Sequence, residues 1–220
     1  MSDRWASFDC YGTLIDWNRG IGDALERLWP DADRAALLRC YHEVEPQVQA
    51  GEARPYREVL GLCTEEIAAA LDLPPVAGVE TALADSLPTW PPFPEVPGAL
   101  QELRAAGWRL AILSNTDPDL LAASVAALDV PIDLTVTVVE AGSYKPAPGH
   151  WQALRRNSAV AADRHVHVAA SLFHDIAPCA ELGIPTVWIN RLDESSEVPR
   201  AAELADCMKL GQTLAQLVSP

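Results

Sequence analysis

Five short apolar runs, set apart by amphipathic stretches, constrain this chain of 220 residues more than any other feature. They lie around Trp5–Cys10, Leu110–Leu113, Leu134–Val139, His165–Ala169 and Thr186–Ile189. Each is too short for a helix and reads as a buried strand. The segment "VPGALQELRAAG" places Val96, Leu100 and Leu103 on one helical face and closes on Gly107. "GHWQALRRNSAV" and "APCAELG" fill later gaps in the same way. Strand alternating with helix predicts a parallel sheet covered by helices on both faces. The reactive crevice of such a sheet lies at the carboxyl ends of its strands.

Residues 16–92 break the alternation. "IGDALERLW", "RAALLRCYHEV" and "YREVLGLCTEEIAAALDL" have helical periodicity, and no convincing strand intervenes. The segment closes on "PTWPPFPEVP", five prolines in ten residues, which reads as a stiff linker. The expected fold is therefore α/β: a Rossmann-like parallel sheet core from residues 1–15 and 93–220, with residues 16–92 inserted as a helical cap domain.

A formal charge of −15 argues against nucleic acid, since no Lys/Arg cluster is present to replace phosphate counterions. Any anion site must be local. Cys10, Cys40, Cys63, Cys179 and Cys207 are scattered, odd in number and without a CxxC pair, which fits a reducing cytoplasm better than a disulfide framework or zinc site. No run reaches the roughly 18 apolar residues of a membrane span, and the N-terminus lacks signal-peptide form. These features predict a soluble, cytoplasmic protein with no membrane partner.

Chemistry-bearing residues follow each core strand in turn. Asp9, Tyr11 and Thr13 come after the first, in "SFDCYGTLIDW". Ser114 and Asn115 follow the second in "LAILSNTD", and Lys145 follows the third in "AGSYKP". Ser171, His174 and Asp175 follow the fourth in "VAASLFHD". One polar loop residue would mean little. Four sets at four strand ends, with two carboxylates, hydroxyls and an ammonium, describe a nucleophilic site.

At this point the sequence resembles the haloacid dehalogenase superfamily. "FDCYGTLID", "ILSN", "YKP" and "HD…GIPTVWINR" occur in that family's order and approximate spacing, and the insertion occupies the place of its helical cap. Phosphatases of the superfamily use an aspartate two residues after the nucleophile as general acid, and acids in the fourth motif to hold magnesium. Here those places hold Tyr11 and Ser171. A departing halide needs no proton, and a carbon centre needs no magnesium. The pattern is similar to the L-2-haloacid dehalogenase branch, which implies a metal-independent hydrolase acting on a small anionic 2-haloalkanoate.

The resemblance implies roles. Asp9 attacks C2, displaces halide and forms an ester that water then opens. Lys145 keeps Asp9 a carboxylate. Ser114, Asn115 and Thr13 hold the substrate carboxylate or Asp9 itself, and Asp175 orients Lys145 or helps activate the water. Tyr11, Ser171 and His174 complete the set at the substrate. Arg39 matches the family's cap arginine by its distance from the first motif. Trp151 stands six residues past the lysine, where the family has tyrosine. The seven tryptophans are mostly packing residues, with Trp17, Trp90 and Trp151 near the crevice or its linkers, where an apolar wall would suit a small haloalkanoate. Leu172 and Ala170 replace an asparagine and a serine of the family, leaving the water-activating group open, with His174 a candidate. No cofactor is expected; magnesium would belong only to the alternative, a small-molecule phosphatase. A binding protein without turnover is the other alternative, against which the joint presence of Asp9, Ser114, Lys145 and Asp175 speaks. A homodimer is common among the resembling proteins, and the sequence leaves the oligomeric state open.

Overall fold

The computed structural model of the protein describes residues 3–49 and 54–219. Its sheet has six parallel strands: β1 (Arg4–Phe8), β2 (Trp108–Leu113), β3 (Leu134–Val136), β4 (His165–Ala169), β5 (Thr186–Ile189) and β6 (Ala202–Leu204). They lie in the order β3-β2-β1-β4-β5-β6. The chain therefore reverses direction of winding beside β1, which is where an open parallel sheet parts to form its crevice. Ser7 on β1 stands in register with Ala111 of β2 and with His167 of β4.

Two compact units make up the chain: residues 1–15, 92–115 and 128–220, and residues 16–91 with 116–127. The first holds the sheet. Trp5, Ala111, Leu113, Val136, Trp151 and Leu154 form a buried cluster against it, and Trp188, Ala169 and Ile176 form a smaller one. Burying side chains of this size contributes about 1.5–3 kcal/mol each, which offsets the entropy of ordering the loops between strands.

The second unit contains α1 (Trp17–Leu28), α2 (Arg34–Gln49), α3 (Tyr56–Ala70) and α4 (Ala82–Ser86). Trp90 is 1% exposed, and a Cβ on Gly20 would overlap its ring, so glycine is required there. Trp90 is thus a packing residue of this unit. The sequence reading assigned all of 93–220 to the sheet, but residues 116–127 pack with the helices. The reason is a helix cap. Asp117 accepts the N–H groups of Tyr56 and Arg57 at 3.2 and 3.0 Å, filling donors that α3 cannot satisfy itself, and Asp119 pairs with Arg57 at 2.6 Å.

The remaining helices are α5 (Val96–Ala105), α6 (Pro118–Leu128), α7 (Val138–Ala141), α8 (Gly149–Ser158), α9 (Ala177–Glu181) and α10 (Leu210–Leu217). β3 ends at Val136 and not at Val139, because Thr137 and Glu140 form a reciprocal cap that starts α7. β6, only three residues long, has too little pattern to be visible in sequence. No helix among the described residues is long and apolar enough to cross a membrane.

Candidate active site

Asp9 leaves β1 at the sheet's winding reversal, with its N–H donated to Val168 O at 3.1 Å. The loop after it is closed by Leu14 and Ile15 N–H groups on Cys10 O, at 2.8 and 2.9 Å. Gly12, at φ 88°, makes the turn that a side chain would strain. Thr13 Oγ1 donates to Asp9 Oδ2 at 3.0 Å and accepts the Ala170 N–H at 2.9 Å. Arg191 holds the same loop from behind, donating to Thr13 O at 2.9 Å and Glu95 Oε1 at 2.7 Å. Asp9 is thus oriented by its own loop.

Lys145 supplies the other half of the geometry. Its backbone is clamped by Asn115, whose Oδ1 accepts the Lys145 N–H at 2.7 Å and whose Nδ2 donates to Lys145 O at 3.1 Å. The ammonium donates to Asp9 Oδ1 at 2.8 Å, Asp175 Oδ1 at 2.7 Å and Leu113 O at 3.0 Å. Three donors meet three acceptors, so the charge is fully engaged. Burial works against that charge, yet Asp175 and Asp9 outweigh it and hold the pKa above the ordinary lysine value.

Asp175 enters the site from a wide π-type turn, Leu172–Ile176, where the Ile176 N–H reaches back to Ser171 O at 3.1 Å. It is fully buried. Burial alone would raise its pKa, but Lys145 and a second donor, His167 Nε2 at 2.9 Å, hold it well below the usual carboxylate range. Oδ2 of Asp175 has no protein donor among the described residues.

The other expected residues divide plainly. Thr13 joins Asp9 directly, whereas Asn115 has both amide atoms on the Lys145 backbone; its observed work is to place the lysine, not to hold an anion. Ser114 is buried, and its carbonyl accepts from His150 Nε2 at 3.0 Å. Ser171 and His174 partner each other, the Ser171 hydroxyl accepting the His174 N–H at 3.0 Å and lying 3.1 Å from Nδ1. Burial lowers the His174 pKa. Tyr11 is half-buried in the Asp9 loop. Trp151, expected at the substrate, is instead a core residue, 1% exposed with its ring edge-on to His167 at 5.6 Å. Trp17 packs on Tyr41 and His42 in the helical unit. Arg39 belongs to that unit too, with an exposed side chain 4.0 Å from Asp33. Sequence reasoning missed Ser7, His165, His167, His150 and Arg191. The one available signal was the alternating "HVH" of β4, polar residues at period two inside an apolar run.

Two of these histidines make stability depend on pH. Burial and the Lys145 charge press His150 to about 4, and burial with His167 and Arg155 presses His165 to about 3. The folded state thus keeps both neutral where the unfolded chain takes up protons, below the ordinary value of 6.5. Stability must then fall as pH drops from that value toward the folded ones. Unfolding in urea is expected to need roughly 1–2 kcal/mol less per histidine near pH 5 than near pH 7. His165→Gln should remove its share of the slope; an unchanged slope would contradict the assignment.

The sequence profile of the haloacid dehalogenase-like hydrolases matches residues 4–183. The chain belongs to that family. Among its relatives, (S)-2-haloacid dehalogenase 1 of Pseudomonas sp. (strain CBS-3) is 28% identical over 222 residues, covering 97% of each chain. The (S)-2-haloacid dehalogenase of Pseudomonas sp. (strain YL) is 29% identical over 203 residues, covering 84% of this chain and 82% of its own. The crystal structure of the L-2-haloacid dehalogenase RSc1362 superimposes with a TM-score of 0.83 at 28% identity, over 96% of this chain and 98% of that one. An L-2-haloacid dehalogenase from Xanthobacter autotrophicus, solved with chloropropionic acid covalently bound, shares the fold at a TM-score of 0.81 and 20% identity, over 96% of this chain and 98% of that one.

Proposed function

We infer that this haloacid dehalogenase-like hydrolase cleaves the carbon–halogen bond of small 2-haloalkanoic acids through an ester on Asp9. The observation that carries the reading is the cation shared by the two carboxylates: it is Lys145 itself, 2.8 Å from Asp9 and 2.7 Å from Asp175. With Thr13 and Lys145 each on one of its oxygens, Asp9 is aimed by hydrogen bonds that need no metal. The relatives named as (S)-2-haloacid dehalogenases support the substrate class.

The reaction balances in two steps. An Asp9 oxygen forms a bond to C2 as halide leaves with the carbon–halogen electron pair, inverting that carbon. Water then adds to the Asp9 carboxyl carbon, and whichever of Thr13 and Lys145 faces the oxygen not bonded to C2 donates to it as it gains charge. The ester C–O bond breaks toward the substrate oxygen, which takes one proton from the water; the other goes to solvent. Asp175 Oδ2, buried and without a protein donor among the described residues, is the proposed acceptor for that water. Ser114, Tyr11, Ser171 and His174 are proposed to border the substrate. Arg39, exposed in the helical unit, retains a proposed role in recognising its carboxylate or halide. A cytoplasmic site of action is supported by five free, buried cysteines.

A panel of 2-haloacids and phosphate esters, each assayed with and without a chelator, tests the proposal. Halide release from (S)-2-chloropropionate is expected at the same rate in both conditions. Phosphate release that stops on chelation and returns with magnesium would replace this reading by the phosphatase one.

A further inference from the structure

We propose that His167 is a positioning residue for Asp175, held in that role by Ser7 and His165 inside the sheet; the proposal rests on the 2-haloacid reading above. Ser7 and His167 are register partners on β1 and β4, and His165 lies two residues earlier on the same face of β4. Ser7 Oγ is 2.7 Å from His165 Nε2 and 2.7 Å from His167 Nδ1. His167 Nε2 in turn is 2.9 Å from Asp175 Oδ1. All four side chains are buried. Apolar residues would fill this space without desolvating three polar groups, so packing alone gives no reason for them.

The contact with Asp175 fixes the position of one proton. An ionised Asp175 only accepts, so the proton must sit on His167 Nε2. Ser7 Oγ then links that ring to His165, 2.7 Å from Nδ1 of the one and 2.7 Å from Nε2 of the other. Trp151, edge-on at 5.6 Å, packs the His167 ring in place. Asp175 Oδ1 thus receives Lys145 and His167 together, and Oδ2, buried, is the oxygen left without a protein donor among the described residues. When Asp9 is esterified it no longer attracts Lys145 as an anion. His167 is then the donor that keeps Asp175 from turning, so its loss should slow ester hydrolysis more than ester formation.

The test compares His167→Leu, which keeps bulk and removes the donor, with His167→Gln, which retains an N–H of similar reach. Rapid-quench halide release and adduct mass spectrometry separate the two steps. In the leucine variant hydrolysis is expected to fall on the order of 10–100-fold further than ester formation, with glutamine restoring most of it. Equal loss in both steps, with glutamine no better than leucine, would overturn the proposal. Nitrogen NMR of ring-labelled histidine in the unaltered protein gives a readout that no folding defect can affect. It should show a proton on His167 Nε2, and a bare Nε2 would also overturn the proposal. If the unaltered protein releases no halide from any 2-haloacid, the reaction reading falls instead, and the NMR result alone decides whether His167 holds Asp175.

Discussion

Replacing Asp9 by asparagine is expected to lower halide release by on the order of 10⁴-fold or more while the fold persists. The amide is nearly isosteric and can still accept from Thr13 or Lys145 through its oxygen, so the loop that places it keeps most of its hydrogen bonds. It cannot attack C2 as a carboxylate does. The check is initial-rate kinetics beside a circular dichroism melt, on protein verified by mass to be free of deamidation. A well-folded Asp9→Asn protein that turns over at a tenth of the normal rate would remove Asp9 from the chemistry.

The second large effect belongs to Lys145. Lys145→Met keeps the buried stem and deletes the charge, leaving the fully buried Asp175 with His167 as its remaining donor. Removing one partner of a buried ion pair costs about 3–5 kcal/mol, and for a chain of this length that lowers Tm by roughly 10 °C. The loss should be constant through neutral pH. The depressed Asp175 carboxyl contributes stability above its unfolded pKa and loses it only as pH falls through the folded one. The raised Lys145 ammonium contributes below its unfolded pKa and loses it only at strongly alkaline pH. Activity should disappear together with stability in the single variant. In Lys145→Met/Asp175→Asn the stranded charge is gone, so Tm should recover while activity stays absent. A single variant that melts like the parent would show that the three-way contact does not hold this site together.

Much of this site could be read from the sequence because its parts are loop residues at strand ends, where a buried apolar run gives way to polar groups. Asp9, Thr13, Lys145 and Asp175 were legible in that way, and they form one connected cluster. What lies within the strands was not legible. Ser7, His165 and His167 look like ordinary strand positions until register sets them against one another and under Asp175. Asn115 was singled out as a holder of the substrate carboxylate or Asp9, but residue type alone cannot say that both amide atoms face a backbone thirty residues away. Trp151 shared a spacing with an expected substrate aromatic and nevertheless faces the core. The placement of residues 116–127 depends on Asp117 capping a helix far away in sequence, a contact that leaves no local pattern. Local periodicity reports the face a residue occupies; the partner it meets there is settled by the fold.

The central claim is that Asp9 forms a bond to substrate carbon and that water opens this ester at the Asp9 carboxyl carbon. A single turnover with enzyme in excess over (S)-2-chloropropionate, run in water enriched in the heavy oxygen isotope, examines it directly. Mass spectrometry of the peptide carrying Asp9 should show the heavy oxygen in that carboxylate, and the lactate released should carry none. Heavy oxygen in the lactate, with an unlabelled Asp9 peptide, would mean that water attacks C2 itself and that Asp9 is no nucleophile.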